Sequence, residues 1–113
     1  WKKELETVKS IQPIDMKQEI KKGAEVIDVR KPSEWNISHV KNATFIPLSG
    51  MPNNLSEKDK NKPYLVHCGG GYRSMTAISL MKRLGFKNLT NIYGGFGAIL
   101  NAGVEVVTEE VTA

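Results

Sequence analysis

The chain has few of the residues from which cross-links and metal centres are built. Its 113 residues include one cysteine and two histidines. One cysteine cannot form an internal disulfide, and it cannot build a cysteine-based zinc cluster. The histidines, His39 and His67, are too few for a convincing metal site. We therefore expect neither a bound metal nor a cofactor.

Long apolar runs and a strong charge of one sign are also missing. No apolar stretch approaches the roughly 20 residues needed to cross a bilayer. The net charge is +4, and the lysines are scattered, which is typical of a solvated surface rather than a nucleic-acid interface. We expect no membrane or nucleic-acid partner. No signal peptide is visible, so we expect a cytoplasmic protein, or a periplasmic one if a leader preceding Trp1 was removed.

The composition is that of one globular domain. Hydrophobic residues make up 40% of the chain and charged residues 25%, which suits a single core. The first residues are charged, with few apolar positions, and compact character begins near Ile11. We assign residues 10–108 to one domain, residues 1–9 to a linker or N-terminal extension, and residues 109–113 to a frayed tail.

Strand patterns alternate with helical ones along the chain. Ala24 to Val29, Pro63 to His67 and Leu89 to Tyr93 are apolar runs typical of buried strands. Ser74 to Leu84 repeats apolar residues at helical spacing, and Gly85 follows where a helix would stop. The alternation predicts a three-layer α/β fold with a mainly parallel central sheet.

Several shorter segments carry weaker signals. A helix is expected after Pro13, with Ile14, Met16 and Ile20 on its buried side and Gly23 at its end. A second helix starts at Pro32 and places Trp35 beneath it. We expect a loop over residues 39–43, a short strand over residues 44–48, and a short helix anchored by Leu55. The glycines of residues 94–97 predict a turn, since they fit no phosphate-loop or dinucleotide spacing.

The stretch from Cys68 to Ser74 has the strongest chemical signal. Cys68 follows a buried strand, and the glycines at 69, 70 and 71 lead into a helix. Such a loop can curl and point its N–H groups inward, and the helix N-terminus and Arg73 add positive charge. A thiol placed there is expected to ionise more readily than free cysteine, whose pKa is about 8.5. We predict a thiolate that faces a small anion pocket.

Other polar residues near the predicted strand ends have orienting roles in this interpretation. Asp28 ends a strand and would lie at the same rim as Cys68, because functional side chains gather at the carboxyl ends of parallel strands. It is expected to fix a loop and to pair with Arg30 or Arg73. His39 is interpreted as a hydrogen-bonded structural histidine. His67 is a poor candidate to activate Cys68, since adjacent strand positions point to opposite faces.

A set of motifs resembles a single rhodanese homology domain over about residues 10 to 107. The set comprises Val26-Ile27-Asp28-Val29-Arg30, Glu34-Trp35, His39-Val40, Ala43, Ile46-Pro47-Leu48, Cys68-x-x-Gly71-x-Arg73-Ser74 and Tyr93-Gly94-Gly95. Ser38 and Asn42 stand where that family commonly has glycine, and both lie away from the cysteine loop.

The resemblance implies a sulfurtransferase. Cys68 would take a sulfane sulfur from thiosulfate or a persulfide donor and pass it to a thiophilic acceptor, such as cyanide or a thiol. We assign catalysis to Cys68 and Arg73, with Tyr72 expected at the pocket mouth. Substrate binding is assigned to Gly69, Gly70, Gly71, Tyr72 and Ser74. The expected partners are small sulfur-containing anions, thiol acceptors, and a protein sulfur acceptor or fused domain.

Two alternatives stay open at this point. One is a sulfur-delivery or binding module of a larger protein, for example behind a metallo-hydrolase domain such as a persulfide dioxygenase. The other is a cysteine-dependent phosphatase or an arsenate reductase. Dual-specificity phosphatases of similar fold place five residues between cysteine and arginine, whereas four separate Cys68 from Arg73. The shorter loop favours a sulfur atom over a tetrahedral phosphate.

Overall fold

The computed structural model describes residues 8–51, 53–55, 58–70 and 73–108, apart from the side chain of residue 54. Two of the predicted substrate-binding residues, Gly71 and Tyr72, lie outside the described residues. So do most of the predicted extension (residues 1–7) and the whole predicted tail (residues 109–113).

Strands and helices alternate in the described part of the chain. The strands are β1 (Lys9–Ile11), β2 (Glu25–Asp28), β3 (Ser38–Val40), β4 (Thr44–Phe45), β5 (Tyr64–His67), β6 (Leu89–Ile92) and β7 (Val106–Thr108). The helices are α1 (Met16–Lys21), α2 (Pro32–Ile37), α3 (Arg73–Arg83) and α4 (Gly95–Asn101), with 3-10 turns at Pro13–Asp15, Leu48–Gly50 and Asn53–Leu55.

The central sheet is parallel, as predicted. Its strand order is β1-β6-β5-β2-β4, and each neighbouring pair runs in the same direction. In the middle of the sheet, β2 and β5 pair so that Asp28 lies opposite His67. The carboxyl ends of these two strands therefore meet at one rim, and Cys68 follows directly after it.

Alternate residues of the central strands face two separate cores. On β5, Tyr64 and Val66 join the cluster that contains Ile78 and Met81 of α3. Leu65 faces the opposite way and joins the cluster that contains Met16 and Ile99. Because side chains alternate along a strand, the sheet is covered by helices on both faces. The predicted three-layer α/β fold is confirmed.

Some local predictions were wrong. Met16 of α1 is fully buried, but Ile14 is 71% exposed and Ile20 is 38% exposed, so the buried side of this helix is narrower than the apolar pattern indicates. The predicted loop at residues 39–43 begins instead with β3, whose Val40 pairs with Val106 in an antiparallel ladder. The strand β3 forms because it pairs with β7, which lies more than 60 residues later in the sequence. A pairing over this distance leaves no local sequence signal.

Two predicted ends and anchors are confirmed. Gly85 has φ +99, a left-handed conformation that glycine tolerates best, and it follows the last turn of α3. Leu55 is 2% exposed and anchors the 3-10 turn Asn53–Leu55. No helix in the described residues is both long enough and apolar enough to cross a membrane.

Candidate active site

The site lies at the rim where β2 and β5 end. The N–H of Val29 donates to the carbonyl of His67 at 3.1 Å, so the pairing of the two strands extends to the first residue past β2. Cys68 follows β5, and α3 begins at Arg73. Asp28 and Cys68 therefore come from neighbouring strand ends, as the sequence predicts.

Cys68 is buried. Its exposed fraction is 0%, and it belongs to the apolar cluster that includes Val66, Ala77 and Ile78. The cysteine sulfur lies 3.8 Å from the Ser74 hydroxyl oxygen. This burial does not match the exposure that a thiolate facing an anion pocket would have, and the predicted pocket stays a prediction.

The second glycine cluster supports the cysteine loop from behind. The N–H of Phe96 donates to the carbonyl of Cys68 at 2.8 Å. Gly95 has φ +71, and a Cβ atom there would overlap the backbone of Gly69 and lie 2.9 Å from the Cys68 carbonyl oxygen. Only glycine allows α4 to start this close to the loop. The predicted turn at residues 94–97 is thus mostly the first turn of α4.

The first two loop glycines differ in the space around them. A Cβ atom on Gly69 would lie 2.8 Å from the Arg73 guanidinium and 3.0 Å from a Glu34 carboxylate oxygen. At Gly70 the same atom would meet nothing within 4 Å. Gly69 therefore lies directly beneath the side chains of Arg73 and Glu34, whereas Gly70 borders open space.

Arg73 forms a two-pronged ion pair with Glu34 of α2. The guanidinium nitrogens lie 2.6 and 3.0 Å from the two carboxylate oxygens, and each side chain is about one-third exposed. Hydrogen bonding to Arg73 lowers the pKa of Glu34 to about 2, and the same contact raises the pKa of Arg73. The N–H of Lys31 also donates to Glu34 at 3.1 Å. Sequence reasoning did not identify this partner of Arg73.

Asp28 pairs with Arg30, one of the two partners expected for it. The shortest contact joins Arg30 Nη2 to Asp28 Oδ2 at 2.8 Å, and the Asp28 carboxylate also accepts from the Arg30 backbone N–H at 2.9 Å. Arg30 Nη2 donates to the carbonyl of Ser38 at 2.6 Å, and the guanidinium carbon lies 4.0 Å from the centre of the Phe96 ring. The pair fixes the end of β2 against β3 and α4.

The two histidines make different contacts. His39 stacks on Trp35 with ring centres 3.6 Å apart, and its Nδ1 atom lies 3.0 Å from the Trp35 carbonyl oxygen. His67 is buried, and its Nε2 atom has no hydrogen-bond partner in the described part of the chain. Burial lowers the pKa of His67, although Asp28 lies 3.7 Å away. The imidazole is therefore neutral at neutral pH and makes no ion pair there.

A series of hydrogen-bonded polar side chains leads from the buried cysteine to Ser10, which is exposed. The Ser74 hydroxyl donates to Asn91 Oδ1 at 2.6 Å, and Asn91 Nδ2 donates to the Ser10 hydroxyl at 3.3 Å. Ser74 is 0% exposed and Asn91 is 5% exposed. This series connects the start of α3 to β6 and then to the edge strand β1.

A cleft opens beside Arg73, on the outer side of the loop. Its volume is about 370 Å³, and it is lined by apolar side chains with three cationic ones: Val29, Arg30, Lys31, Pro47, Leu48, Ser49 and Arg73. A cleft of this size and charge can hold a small anion with an apolar portion. Cys68 is not among its lining residues.

Comparison with known families decides what kind of domain this is. The sequence model of the rhodanese-like domain matches residues 12–102, most of the chain. The chain belongs to the rhodanese-like domain family.

Relatives of this rhodanese-like domain are named as sulfurtransferases. The probable adenylyltransferase/sulfurtransferase MoeZ of Mycobacterium tuberculosis is 33% identical over 75 residues, which cover 65% of this chain and 19% of MoeZ. The thiosulfate sulfurtransferase GlpE of Vibrio cholerae is 28% identical over 85 residues, which cover 75% of this chain and 80% of GlpE. The domain therefore spans about a fifth of one relative and four-fifths of the other.

A solved structure supports the same fold. The rhodanese-related protein of Thermoplasma volcanium is 32% identical, with a TM-score of 0.80, and the match covers 89% of this chain and 99% of that one. This likeness agrees with the three-layer architecture of the rhodanese-like domain described above.

Three residues of this rhodanese-like site were not assigned a role from sequence. Glu34 is the third residue of a helix that Pro32 starts, which favours a carboxylate near the helix N-terminus, but nothing local names Arg73 as its partner. Asn91 is one of two polar residues in the buried strand β6, and a polar residue there indicates a buried hydrogen bond. Gly95 carried a signal in its glycine cluster, but the cluster was interpreted only as a turn.

Proposed function

We propose that this rhodanese-like domain is a sulfurtransferase that carries a sulfane sulfur on Cys68. One observation carries the proposal: the only sulfhydryl of the chain lies at the carboxyl end of β5, 3.8 Å from the Ser74 hydroxyl and five residues before Arg73, which opens α3. A cysteine at the end of a parallel strand and before a helix N-terminus is placed for reaction with anions.

The first step is attack of the Cys68 thiolate on the outer sulfur of thiosulfate. A new sulfur–sulfur bond forms to Cys68 Sγ while the sulfur–sulfur bond of thiosulfate breaks. The electron pair of that bond leaves with sulfite, and Cys68 becomes a persulfide. Thiolate attack of this kind depends on the ionised fraction of the thiol and on access to it.

The second step returns Cys68 to its starting state. A nucleophilic acceptor such as cyanide attacks the outer sulfur of the persulfide, and the electron pair of the broken bond returns to Cys68 as a thiolate. Cyanide leaves as thiocyanate. Because the chain has a single cysteine, no second thiol of the domain can receive this sulfur. The acceptor must be another molecule, either a small thiol or a protein.

Arg73 and the neighbouring cleft supply the positive charge for anionic donors. Arg73 is held by Glu34 in the present conformation, so a donor anion must displace the Glu34 carboxylate to bind the guanidinium. A bidentate guanidinium suits thiosulfate and sulfite, and it would stabilise charge as sulfite leaves. Lys31 lines the same cleft and adds a second exposed cation.

Amides of the loop are the other proposed binding groups. Gly69, Gly70 and Ser74 are assigned to donor binding together with Gly71 and Tyr72. Asp28, Arg30 and His39 are assigned to holding the surrounding loops. The domain limits at residues 10 and 108 remain a prediction, and β1 extends the ordered sheet one residue further, to Lys9.

The burial of Cys68 favours a second candidate function. A binding or sulfur-delivery module of a larger protein needs no open thiol in its resting state, and Cys68 is 0% exposed. The match to MoeZ covers 19% of that adenylyltransferase/sulfurtransferase, so a related domain occurs within a longer chain there. In this candidate the sulfur arrives from, or leaves to, a partner domain.

The test is a steady-state assay of thiosulfate:cyanide transfer with wild type, Cys68→Ser and Cys68→Ala. We expect thiocyanate formation by wild type and none above the uncatalysed rate by either variant. Transfer that persists in both variants would contradict the assignment of Cys68. A parallel assay with p-nitrophenyl phosphate tests phosphatase activity. Release of p-nitrophenol that is lost in the Cys68 variants would support a phosphatase. A folded protein inactive in both assays would favour the binding module.

A further inference from the structure

Three polar side chains from three different elements form a series of hydrogen bonds behind Cys68: Ser74 and Asn91 are buried, and Ser10 is exposed. Ser74 is the second residue of α3, Asn91 lies in β6, and Ser10 lies in β1. The distances are 3.8 Å from Cys68 Sγ to Ser74 Oγ, 2.6 Å from Ser74 Oγ to Asn91 Oδ1, and 3.3 Å from Asn91 Nδ2 to Ser10 Oγ. Asn91 takes no part in the sulfur transfer steps proposed above.

The chemistry of these groups fixes the direction of the hydrogen bonds. The amide oxygen of Asn91 can only accept, so the Ser74 hydroxyl donates its single hydrogen to it. With that hydrogen engaged, the Ser74 oxygen offers a lone pair to Cys68, whose thiol is placed as the donor. At the other end of the amide, the Asn91 NH₂ group donates to the Ser10 hydroxyl at 3.3 Å. The arrangement suits a protonated Cys68.

Ionisation of Cys68 reverses what the site needs from Ser74. A thiolate, like the anionic persulfide that follows it, accepts hydrogen bonds and cannot donate one. The Ser74 hydroxyl can serve that charge only by turning its hydrogen from Asn91 to sulfur, and hydrogen bonds to a charged group are the stronger kind. The turn leaves Asn91 Oδ1 without this donor in a side chain that is 5% exposed, which is costly.

We propose that Asn91 is a positioning residue that holds the Ser74 hydroxyl in its thiol-accepting orientation, so that ionisation of Cys68 is favoured when Ser74 turns away from Asn91. The inference rests on the proposed function only for its consequence in sulfur transfer. The hydrogen-bond competition itself exists whether or not Cys68 carries sulfur. Asn91 acts through Ser74 and has no direct role in the reaction.

Charged and titratable groups also surround the cysteine from the neighbouring elements. Arg73 comes from α3 and Glu34 from α2, while His67 precedes Cys68 on β5. The ion pair of Asp28 and Arg30 lies at the end of β2. The described residues of β1, β6 and α4 that face this series of hydrogen bonds are uncharged. Substitutions of Asn91 and Ser10 leave all the charged groups in place, so they change only the neutral hydrogen bonds.

The test measures ionisation of Cys68 directly, without a sulfur donor. Ultraviolet absorbance of the thiolate is followed against pH, and Cys68→Ser supplies the blank, since the chain has one cysteine. Asn91→Leu removes the acceptor at similar volume. We expect its thiolate midpoint to fall by about half a pH unit to one unit, the range that one net hydrogen bond corresponds to. The matched control is Thr90→Val, which changes a buried polar residue one position earlier on β6. We expect it to leave the thiolate midpoint of Cys68 unchanged.

Ser74→Ala separates positioning from a general effect on structure. In that background Asn91→Leu should leave the midpoint unchanged, because the hydroxyl through which Asn91 acts is gone. An unchanged midpoint for Asn91→Leu alone, or an equal fall with and without Ser74, would overturn the inference.

If Asn91→Leu fails to fold by circular dichroism, Ser10→Ala replaces it. This variant removes the Ser10 hydroxyl of β1, to which the Asn91 NH₂ group donates. We expect a smaller fall in the thiolate midpoint than with Asn91→Leu. No fall would overturn the inference. If the wild-type protein transfers no sulfur, only the proposed function is contradicted. The thiolate midpoints are measured without a sulfur donor, so they test the role of Asn91 separately.

Discussion

The two sides of the cysteine loop each carry an arginine–carboxylate pair, but at very different depths. On the inner side, the side chains of Arg30 and Asp28 are 5% and 0% exposed, and Arg30 lies over Phe96. On the outer side, the side chains of Arg73 and Glu34 are 32% and 33% exposed and lie above Gly69 beside the cleft. The charge chemistry is the same, and only the access of water differs.

This difference separates structure from function. A buried pair cannot be opened without leaving a charge in a low-dielectric interior, which costs several kcal/mol. A partly exposed pair contributes about 1 kcal/mol or less, because water and salt compete for both partners. The inner pair therefore holds the rim together, while the outer pair can be exchanged for a substrate anion.

The largest expected effect comes from breaking the inner pair. Asp28→Asn leaves the Arg30 guanidinium buried without its carboxylate, and we expect the free energy of unfolding to fall by about 3 to 5 kcal/mol. Urea denaturation measures this loss. Glu34→Gln is the matched control on the outer side, with an expected loss of about 1 kcal/mol or less. Equal losses of unfolding free energy in Asp28→Asn and Glu34→Gln would contradict the proposed difference between the inner and outer ion pairs.

A second change on the inner side tests the support of the loop. Gly95→Ala puts a Cβ atom against the Gly69 backbone and forces alanine into φ +71. We expect a loss of about 2 to 4 kcal/mol from overlap and left-handed strain. Gly97→Ala, also in α4 but with no atom within 4 Å of its Cβ position, is the control and should not destabilise. Thermal unfolding of the two variants makes the comparison; equal stability would contradict the close approach.

On the outer side, the effects should appear in kinetics. Arg73→Ala removes the charged donor that we assign to thiosulfate, so KM for thiosulfate should rise about 10- to 100-fold. Glu34→Gln should lower the same KM a few-fold, because the donor no longer displaces a carboxylate from Arg73. Opposite shifts would support exchange at this pair. Unchanged kinetics in Arg73→Ala would mean that backbone amides suffice to bind the donor.

The smallest expected effect is in the pH dependence of stability. The pKa of Glu34 lies at about 2 in the folded chain against an ordinary value of 4.5. A carboxylate with a depressed pKa stabilises the fold above its unfolded pKa, and this contribution is lost as the pH falls from about 4.5 towards 2. The difference in unfolding free energy between wild type and Glu34→Gln should therefore be present at pH 7 and shrink over this range. A difference that grows on acidification would contradict the sign.

The fold was predictable because its signals are local. The apolar runs that became β2, β5 and β6, and the helical spacing of α3, each lie within a dozen residues. The site was predictable to the extent that it follows from strand ends, as with Asp28 and Cys68. Contacts across long separations were not: the partner of Arg73 lies 39 residues earlier, and Ser74 meets Asn91 17 residues later.

Burial of Cys68 is the clearest case of what sequence could not show. The glycines and Arg73 predict a reactive loop, but they do not say how deeply Cys68 is buried. In the fold, Cys68 lies in the apolar cluster with Val66 of β5 and Ile78 of α3, and its carbonyl accepts from the Phe96 N–H of α4. The cluster and the contact to α4 are tertiary contacts that no local pattern predicts.

The central claim is that Cys68 carries the transferred sulfur, and intact-mass spectrometry after incubation with thiosulfate tests it most directly. We predict a gain of one sulfur atom by the wild-type chain, removed by subsequent cyanide, and no gain by Cys68→Ser. No gain by folded wild type, or the same gain by Cys68→Ser, would contradict the account.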